Sequence, residues 1–290
     1  MTTVLAYSVI TPVRNEEENL RRLGASLAAQ TVRPSSWTIV DTGSTDATAK
    51  LASELALRHG WIRWMALDDS TVLERGGPIA RAFEAGYAEL PAKPDIVVKV
   101  DADVSFDTDY FERLLARFAA EPSLGMASGS CFEQEAGFWR QRFVTGSTVW
   151  GAARAYRREC LDAVLPLERR MGWDGVDEFR ANVRGWETRA FTDLPFRHHR
   201  KEGERDGSAR KARLAQGRAA HYLGYRFWYL TLRALWHARG ELAALAMIAG
   251  FLQAAVLRQP RCADVDARRY LRSQQSPRRL SLRLRQAAGR

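Results

Sequence analysis

Cysteine is scarce in this sequence, which contains only three among 290 residues. Cys131, Cys160 and Cys262 lie far apart, so neither the paired spacing of a zinc site nor a disulfide framework is present. The sequence is therefore not of the small disulfide-stapled class. This use of cysteine predicts a reducing compartment, the cytoplasm.

Long hydrophobic runs are also missing at the start of the sequence. The apolar run from Val4 to Ile10 ends at Pro12 and has no basic leader before it. It therefore predicts a first β-strand rather than a signal peptide. Residues 242–257 are almost wholly apolar, but the segment is marginal against the roughly 17–25 residues that a transmembrane helix needs.

Acidic residues are outnumbered by basic ones, 34 against 44, and the net charge is +10. The basic residues are densest from about Arg197 to the end of the sequence. Such a basic half predicts an acidic partner: a nucleic acid, an anionic lipid or a phosphorylated substrate. The sequence has no helix-turn-helix, zinc or RNA-recognition signature, so we predict no nucleic-acid partner.

Apolar strand-length runs alternate with helical patterns over the first hundred residues. The predicted strands are 6–10, 37–40, 62–67 and 96–100, and the predicted helices between them are 16–30, 45–58 and 78–90. This order predicts an α/β fold with a mostly parallel sheet flanked by helices. Polar clusters follow three strands, at 11–15, 41–46 and 101–103, and ligands bind at such strand ends in parallel sheets.

The alternation weakens after residue 109. Further strands are predicted at 125–132, 148–156 and 188–194, and further helices at 110–120, 159–164 and 176–182, with a turn at 172–174 and a mobile segment at 201–208. We predict one sheet-forming domain over 1–215, with halves at about 1–109 and 110–215. A helical, basic extension is predicted over 216–290.

Asp101, Ala102 and Asp103 directly follow an apolar strand. Alternate residues of an extended segment point the same way, so both carboxylates can reach one cation. Hard divalent ions such as Mg²⁺ prefer oxygen ligands and share them with phosphate oxygens. The triplet therefore indicates a cation site that would stabilise a diphosphate leaving group.

Four segments carry a resemblance to a known family: 8–16 (SVITPVRNE), 40–46 (VDTGSTD), 100–103 (VDAD) and 172–178 (GWDGVDE). In this order the sequence resembles the family 2 inverting glycosyltransferases, which have the Rossmann-like GT-A fold. The resemblance implies a UDP- or GDP-sugar donor, Mn²⁺ or Mg²⁺ as cofactor, and a lipid-linked or glycan acceptor.

The resemblance also assigns roles to individual residues. Asp177 matches the catalytic base, with Asp174 and Glu178 competing for that role. Asp103 would ligate the metal, and a histidine near the end of the last predicted strand, His198 ahead of His199, would add a ligand. Independently of the resemblance, the ring of Trp173 can either stack on an acceptor sugar or be buried, and Asp174 is expected to contact the acceptor. The implied donor-binding residues are Thr11, Pro12, Arg14, Glu16, Asp41, Arg81, Asp101 and Ala102. From their charge alone, Arg197, Arg200 and Lys201 are alternative diphosphate ligands.

Two departures from the family pattern leave the donor open. Thr42 stands where the family often has a second acid, and Phe83 or Glu84 stands where it often has Asn. A sugar-phosphate nucleotidyltransferase is disfavoured because the loop after the first strand is not Gly-rich and acids follow it. A non-catalytic sugar-nucleotide-binding homologue is disfavoured by the intact Asp103 and Asp177.

Three interpretations of residues 242–257 stay open. Its larger apolar residues Leu242, Leu245, Ile248, Leu252 and Val256 share one helical face, and arginines follow. The segment can lie in an anionic membrane surface, on the inner face of the plasma membrane; it can pack on the protein; or it can span the bilayer.

Overall fold

A computed structural model describes residues 5–67, 76–135, 137–143, 148–200 and 208–287 of the chain. Its first half follows the predicted alternation. The elements are β1 (Tyr7–Val13), α1 (Glu17–Ala28), β2 (Ser36–Asp41), α2 (Thr48–Arg58), β3 (Ile62–Ala66), α3 (Gly77–Ala88) and β4 (Ile96–Val100). Strands β3, β2, β1 and β4 are neighbours in this order and all pair in parallel.

The second half adds antiparallel strands, which makes the sheet mixed. The elements are β5 (Val104–Phe106), α4 (Tyr110–Ala120), β6 (Leu124–Glu135), β7 (Phe138–Gln141), β8 (Ala153–Arg157), α5 (Arg158–Val164), α6 (Trp173–Val183) and β9 (Glu187–His198). Strand β8 lies antiparallel between β4 and β6, β9 is parallel to β6, and β5 is antiparallel to β9 at the edge. Strand β7 forms a hairpin with β6.

Both faces of the sheet are buried, as the near-continuous apolar strands predict. Val9 and Ile39 belong to one hydrophobic cluster, whereas the next residues, Ile10 and Val40, belong to another. Successive strand residues point to opposite faces, so these two clusters are the two layers of core between sheet and helices.

Three predicted elements differ from the observed ones. The strand predicted over 148–156 is shorter, because only Ala153–Arg157 pairs with neighbours. The turn predicted at 172–174 is the start of α6: Gly172 has φ 92, a left-handed conformation that favours glycine, and the helix begins at the next residue. The strand predicted to end at Leu194 continues to His198, which brings that histidine into the sheet. The mobile segment predicted at 201–208 lies outside the described residues except for Ser208.

The C-terminal part is helical, as predicted. Its helices are α7 (Ala209–Leu223), α8 (Phe227–Ala238), α9 (Ala246–Val256), α10 (Val265–Gln274) and α11 (Leu280–Ala287). The predicted boundary at 215 lies inside α7. Helices α7 and α9 cross closely: a Cβ at Gly217 would lie 2.0 Å from the Met247 carbonyl oxygen. Searched over the described residues, no helix is both long and apolar enough to cross a bilayer.

Helix α10 ties this extension to α6. The Tyr270 hydroxyl donates a hydrogen bond to Asn182 Oδ1 at 2.9 Å, and the Tyr270 ring packs on Phe179 with centroids 6.0 Å apart. Arg180 forms an ion pair with Asp264 at 3.1 Å. The extension therefore supports the helix that carries Asp174 and Asp177.

Candidate functional site

The acidic triplet lies in the turn between β4 and β5. Val104 pairs with His198 across the β5–β9 ladder, and the His199 amide donates to the Asp103 carbonyl at 2.8 Å. The sheet register therefore brings the end of β9 against the triplet, although almost a hundred residues separate them. Because β4 also neighbours β1, the loops after β1 and β2 lie at this same edge.

Asp103 and His198 meet at this edge. His198 Nε2 lies 3.4 Å from Asp103 Oδ1, and His198 Nδ1 lies 3.3 Å from Glu133 Oε1. Glu133 is the residue that pairs with His198 in the β6–β9 ladder. In the described part of the chain, one group of three side chains could together hold a metal ion: Cys131, Glu133 and His198, whose ligand atoms all lie within 4.8 Å of one another.

The charges around His198 hold it in its protonated form. Burial by itself lowers the pKa of His198, but hydrogen bonds with Asp103, Cys131 and Glu133 raise it to about 12. Burial by itself raises the pKa of Asp103, but the hydrogen bond and charge of His198, followed by the charge of Arg200, bring the pKa of Asp103 below its usual range. A cation at this position would therefore displace a proton from the imidazole.

The Asp103–His198 pair fits a divalent cation. Two adjacent ligands of an octahedral ion, each at about 2.1 Å, lie about 3 Å apart, close to the 3.4 Å between Asp103 Oδ1 and His198 Nε2. Carboxylate oxygens suit Mg²⁺ and Mn²⁺, whereas imidazole suits transition-metal ions, so this mixed pair favours Mn²⁺ over Mg²⁺. An ion on Nε2 leaves Glu133 to accept the Nδ1–H, the arrangement that orients metal-binding histidines.

Arg200 joins the loop after β1 to this pair. Its guanidinium binds both Glu16 carboxylate oxygens at 2.9 Å, and its Nη1 lies 3.4 Å from Asp103 Oδ2. Arg200, one of the three alternative diphosphate ligands that the sequence indicates, therefore lies beside the acidic triplet. Arg197 instead pairs with Asp107 at 2.8 Å, and Lys201 lies outside the described residues.

Asp101 is bound by Lys99, a residue of the preceding strand β4. Lys99, almost fully buried in β4, donates to Asp101 Oδ1 and to the Gly151 carbonyl, the latter at 2.8 Å. Burial and the neighbouring Asp103 raise the pKa of Asp101, and Lys99 opposes that shift. Lys99 thus fixes the first acid of the triplet and ties it to the 149–152 loop.

Hydrogen bonds join the loop after β1 to the loop after β2. The backbone amide of Asn15, which has φ 55, donates to Ser44 Oγ at 3.0 Å, and Asn15 Oδ1 accepts from the backbone amide of Thr45 at 2.7 Å. Asp41 Oδ1 accepts from the Ser44 amide and hydroxyl at 2.9 and 2.7 Å. The buried Asp41 therefore shapes the turn, and the predicted contact of Asp41 with a nucleobase stays a prediction.

The other predicted donor residues differ in their access to a ligand. Thr11 is fully buried and its Oγ1 accepts from Trp37 Nε1 at 2.9 Å, and the Ala102 side chain is buried in the core. Neither side chain is open to the donor, so only their backbones can contact it. Pro12 and Arg81 are half-buried, and Arg14 is exposed.

Asp177 does not lie where an acceptor hydroxyl can reach it. Its side chain is fully buried, its Oδ1 pairs with Arg154 Nη1 at 2.7 Å, and its Oδ2 accepts from the Tyr156 hydroxyl at 2.5 Å. Burial raises the pKa of Asp177 to about 6 and that of Glu178 to about 8. Glu178, also buried, accepts from the Val149 amide at 3.0 Å. Both acids therefore anchor α6 to β8 and to the residues that precede β8.

Asp174 has the access that Asp177 lacks. It is half-buried in the first turn of α6, and a Cβ at Gly151 would lie 3.1 Å from Asp174 Oδ2. The Gly151 carbonyl accepts from Lys99, which also binds Asp101. The Asp174 carboxylate is therefore the acid of α6 that lies beside the triplet.

Trp173 belongs to the core rather than to an open platform. It is 5% exposed and packs between Lys99 and Arg154, 5.8 and 5.9 Å from its ring. The predicted stacking of Trp173 on an acceptor sugar therefore has no exposed ring face to use. His199, the alternative metal ligand, bonds Ser105 Oγ at 2.8 Å and packs edge-on against Trp139.

Four residues that organise this site had no predicted role: Asn15, Lys99, Glu133 and Arg154. Three of them carried a signal in the sequence. Lys99 and Arg154 are charged residues inside apolar strand-length runs, where charge is costly unless paired, and Asn15 lies in the polar cluster at 11–15. Glu133 carried none, because its partner His198 comes from a distant strand.

Comparison with known proteins identifies the fold around this site. The family model described as Glycosyl transferase family 2 matches residues 8–166. A curated relative, 4,4'-diaponeurosporenoate glycosyltransferase of Staphylococcus haemolyticus (strain JCSC1435), is 29% identical over 127 residues, which are 43% of this chain and 32% of the relative. The matched part thus spans about a third of that relative.

Solved glycosyltransferases share the fold at low identity. The mannosyltransferase PcManGT from Pyrobaculum calidifontis, in complex with GDP-Man and Mn²⁺, has a TM-score of 0.57 and 17% identity, covering 99% of this chain and 85% of its own. GalNAc-T7 with UDP, GalNAc and Mn²⁺ has a TM-score of 0.60 and 14% identity, and the match covers 81% of this chain and 51% of GalNAc-T7. S. aureus TarS 1–349 in complex with UDP has a TM-score of 0.53 and 17% identity, and the match covers 73% of this chain and 65% of TarS 1–349.

Proposed function

The chain belongs to glycosyl transferase family 2, a family of enzymes with the GT-A fold, and on that premise we propose the reaction that its site performs. The enzyme moves a sugar from a UDP- or GDP-sugar to a hydroxyl of a lipid-linked or glycan acceptor, with inversion at the anomeric carbon. The observation that carries this proposal is the meeting of Asp103 and His198, 3.4 Å apart, beside the loops after β1 and β2.

The donor lies across the ends of β1, β2 and β4 in this proposal. Arg200 supports this because its guanidinium lies next to Asp103, where it can bind a diphosphate oxygen. The related structures contain both nucleotides, UDP in TarS and the sugar donor GDP-Man in PcManGT.

Asp103 and His198 would hold the divalent cation, with Glu133 as a positioning residue that accepts a hydrogen bond from His198. The bound ion would neutralise charge on the departing nucleoside diphosphate. The Mn²⁺ in two of the related structures supports this choice of ion. Asp101, anchored by Lys99, contacts the ribose or the ion.

Asp174 is the general base rather than Asp177. A base must reach the acceptor hydroxyl to take its proton, and Asp174 is half-buried beside the triplet whereas Asp177 is enclosed by Arg154 and Tyr156. With the donor at the triplet, the hydroxyl approaches the anomeric carbon from the side of α6, and its proton passes to Asp174.

Hydrolysis of a panel of UDP-, GDP- and dTDP-sugars, with Mn²⁺ or Mg²⁺ and with chelator, tests this function. We expect metal-dependent release of nucleoside diphosphate from at least one UDP- or GDP-sugar, abolished by Asp103→Ala. Asp107→Ala is the matched control, because Asp107 is a nearby acid paired with Arg197 away from the triplet. If no donor is bound or turned over with either metal, the proposal fails.

A further inference from the structure

The helices after residue 208 expose large apolar side chains on their outward faces. On α9 and the 3-10 turn before it, Met247, Phe251 and Ala254 are buried. The opposite face carries Leu242, Leu245, Leu252 and Val256, with Leu242 78% and Val256 79% exposed. Helix α8 repeats this pattern: Leu230 and Ala234 are buried in the same cluster, and Leu232 and Leu235 are exposed.

These outward faces lie in the basic part of the chain. Residues 208–287 contain 16 Lys and Arg and three acidic residues. The net charge of this segment, +13, is therefore larger than the net charge of the whole chain, +10. Exposed Arg239 follows the apolar face of α8, and exposed Arg258 and Arg261 follow that of α9. An apolar face bordered by arginines matches a surface of anionic lipid, with acyl chains for the leucines and headgroups for the arginines.

The β6–β7 hairpin also carries exposed apolar side chains, and it lies next to the site. Phe138 is 72% exposed and Phe143 50%, and the Trp139 ring packs against His199, next to His198. The hairpin thus presents exposed apolar side chains close to the edge of the sheet that carries His198.

We propose that the outward faces of α8 and α9, together with the β6–β7 hairpin, form a docking surface for an anionic lipid bilayer. The helices lie in the headgroup layer, since no described helix is long and apolar enough to cross it. Docking in this orientation turns the edge that carries His198 toward the membrane, where a lipid-linked acceptor presents its hydroxyl. The choice of acceptor rests on the proposed function; the docking itself does not.

Flotation of the full chain with vesicles tests the surface without any donor. We expect the protein to float with phosphatidylcholine vesicles that contain phosphatidylglycerol and to remain unbound with phosphatidylcholine alone. The triple variant L242S/L252S/V256S should lower the partition coefficient at least tenfold. Leu57→Ser is the matched control, since Leu57 is 85% exposed on α2, far from this surface in the chain; it should float like the original chain.

A second pair of variants separates the charge from the apolar face. R258Q/R261Q should lower the partition coefficient by about fivefold per arginine, whereas K50Q/R63Q, two exposed cations of the N-terminal half, should not. The docking proposal is overturned if the full chain stays unbound with anionic vesicles, or if it elutes as a dimer that the triple variant dissociates. Donor hydrolysis in solution should be unchanged in all these variants. A full chain that floats with anionic vesicles but hydrolyses no donor would overturn the proposed function and leave docking intact.

Discussion

Replacement of Asp174 and of Asp177 by Asn, each alone, separates the base from the acid that supports it. Loss of a general base slows transfer by about 10²–10⁴-fold. We expect this loss in Asp174→Asn, because its carboxylate lies beside Gly151 at the triplet. Asp174 has a small part in stability, about 0.3–1 kcal/mol from its place in the first turn of α6.

Asp177→Asn should act mainly on stability. The change removes the closer charge partner of the buried Arg154 guanidinium, Asp177 Oδ1 at 2.7 Å, and leaves the more distant Glu178 Oε2 at 3.8 Å. Breaking one side of a buried ion pair costs about 3–5 kcal/mol, which lowers the melting temperature by roughly 10 °C in a chain of this size. At a temperature where the variant is folded, donor binding should be intact and the transfer rate should fall less than in Asp174→Asn.

The assay pairs initial transfer rates with thermal unfolding for both variants. Asp266→Asn is the control, an exposed acid in the first turn of α10, and it should change neither quantity appreciably. The reasoning is refuted if Asp174→Asn transfers normally while Asp177→Asn melts like the original chain and loses transfer.

Three further predictions follow from the same contacts. Burial raises the pKa of Glu178 to about 8 from 4.5, so between about pH 5 and 8 the folded state keeps a proton that the unfolded state releases. The stability of the original chain relative to Glu178→Gln should therefore fall as the pH rises through that range; a difference that rises, in urea unfolding at several pH values, contradicts this. Glu133→Gln should weaken Mn²⁺ binding by about 10–100-fold with little change in melting temperature, as isothermal titration calorimetry can measure; unchanged affinity removes Glu133 from its positioning role. Gly217→Ala should disrupt the α7–α9 crossing, because its Cβ would lie 2.0 Å from a backbone oxygen, and should speed proteolysis of the extension, whereas Gly240→Ala, with open space around it, should not.

The first half of the fold could be predicted because local signals agree there. Residues 96–100 are apolar, the triplet follows directly, and the observed β4 has the predicted bounds. The family resemblance is confirmed by the match over residues 8–166. Alternation of apolar runs with helical periods leaves few arrangements other than a parallel sheet.

The second half depends on contacts that local patterns do not carry. The extension of β9 to His198 is fixed by its pairing with β5 and β6, and nothing within the segment RHHR (197–200) indicates that pairing. For the same reason the sequence could not separate Asp174 from Asp177: both lie in GWDGVDE, and only helix phase and the partner Arg154 bury one of them.

The central claim is that Asp103 and His198 together bind a divalent cation. Titration of Mn²⁺ in the presence of UDP or GDP, followed by electron paramagnetic resonance of the free ion, tests it most directly. Asp103→Asn and His198→Asn should each weaken binding by at least about tenfold, and His199→Asn, whose ring bonds Ser105 instead, should bind as the original chain does. Unchanged Mn²⁺ binding in Asp103→Asn and His198→Asn would contradict the account.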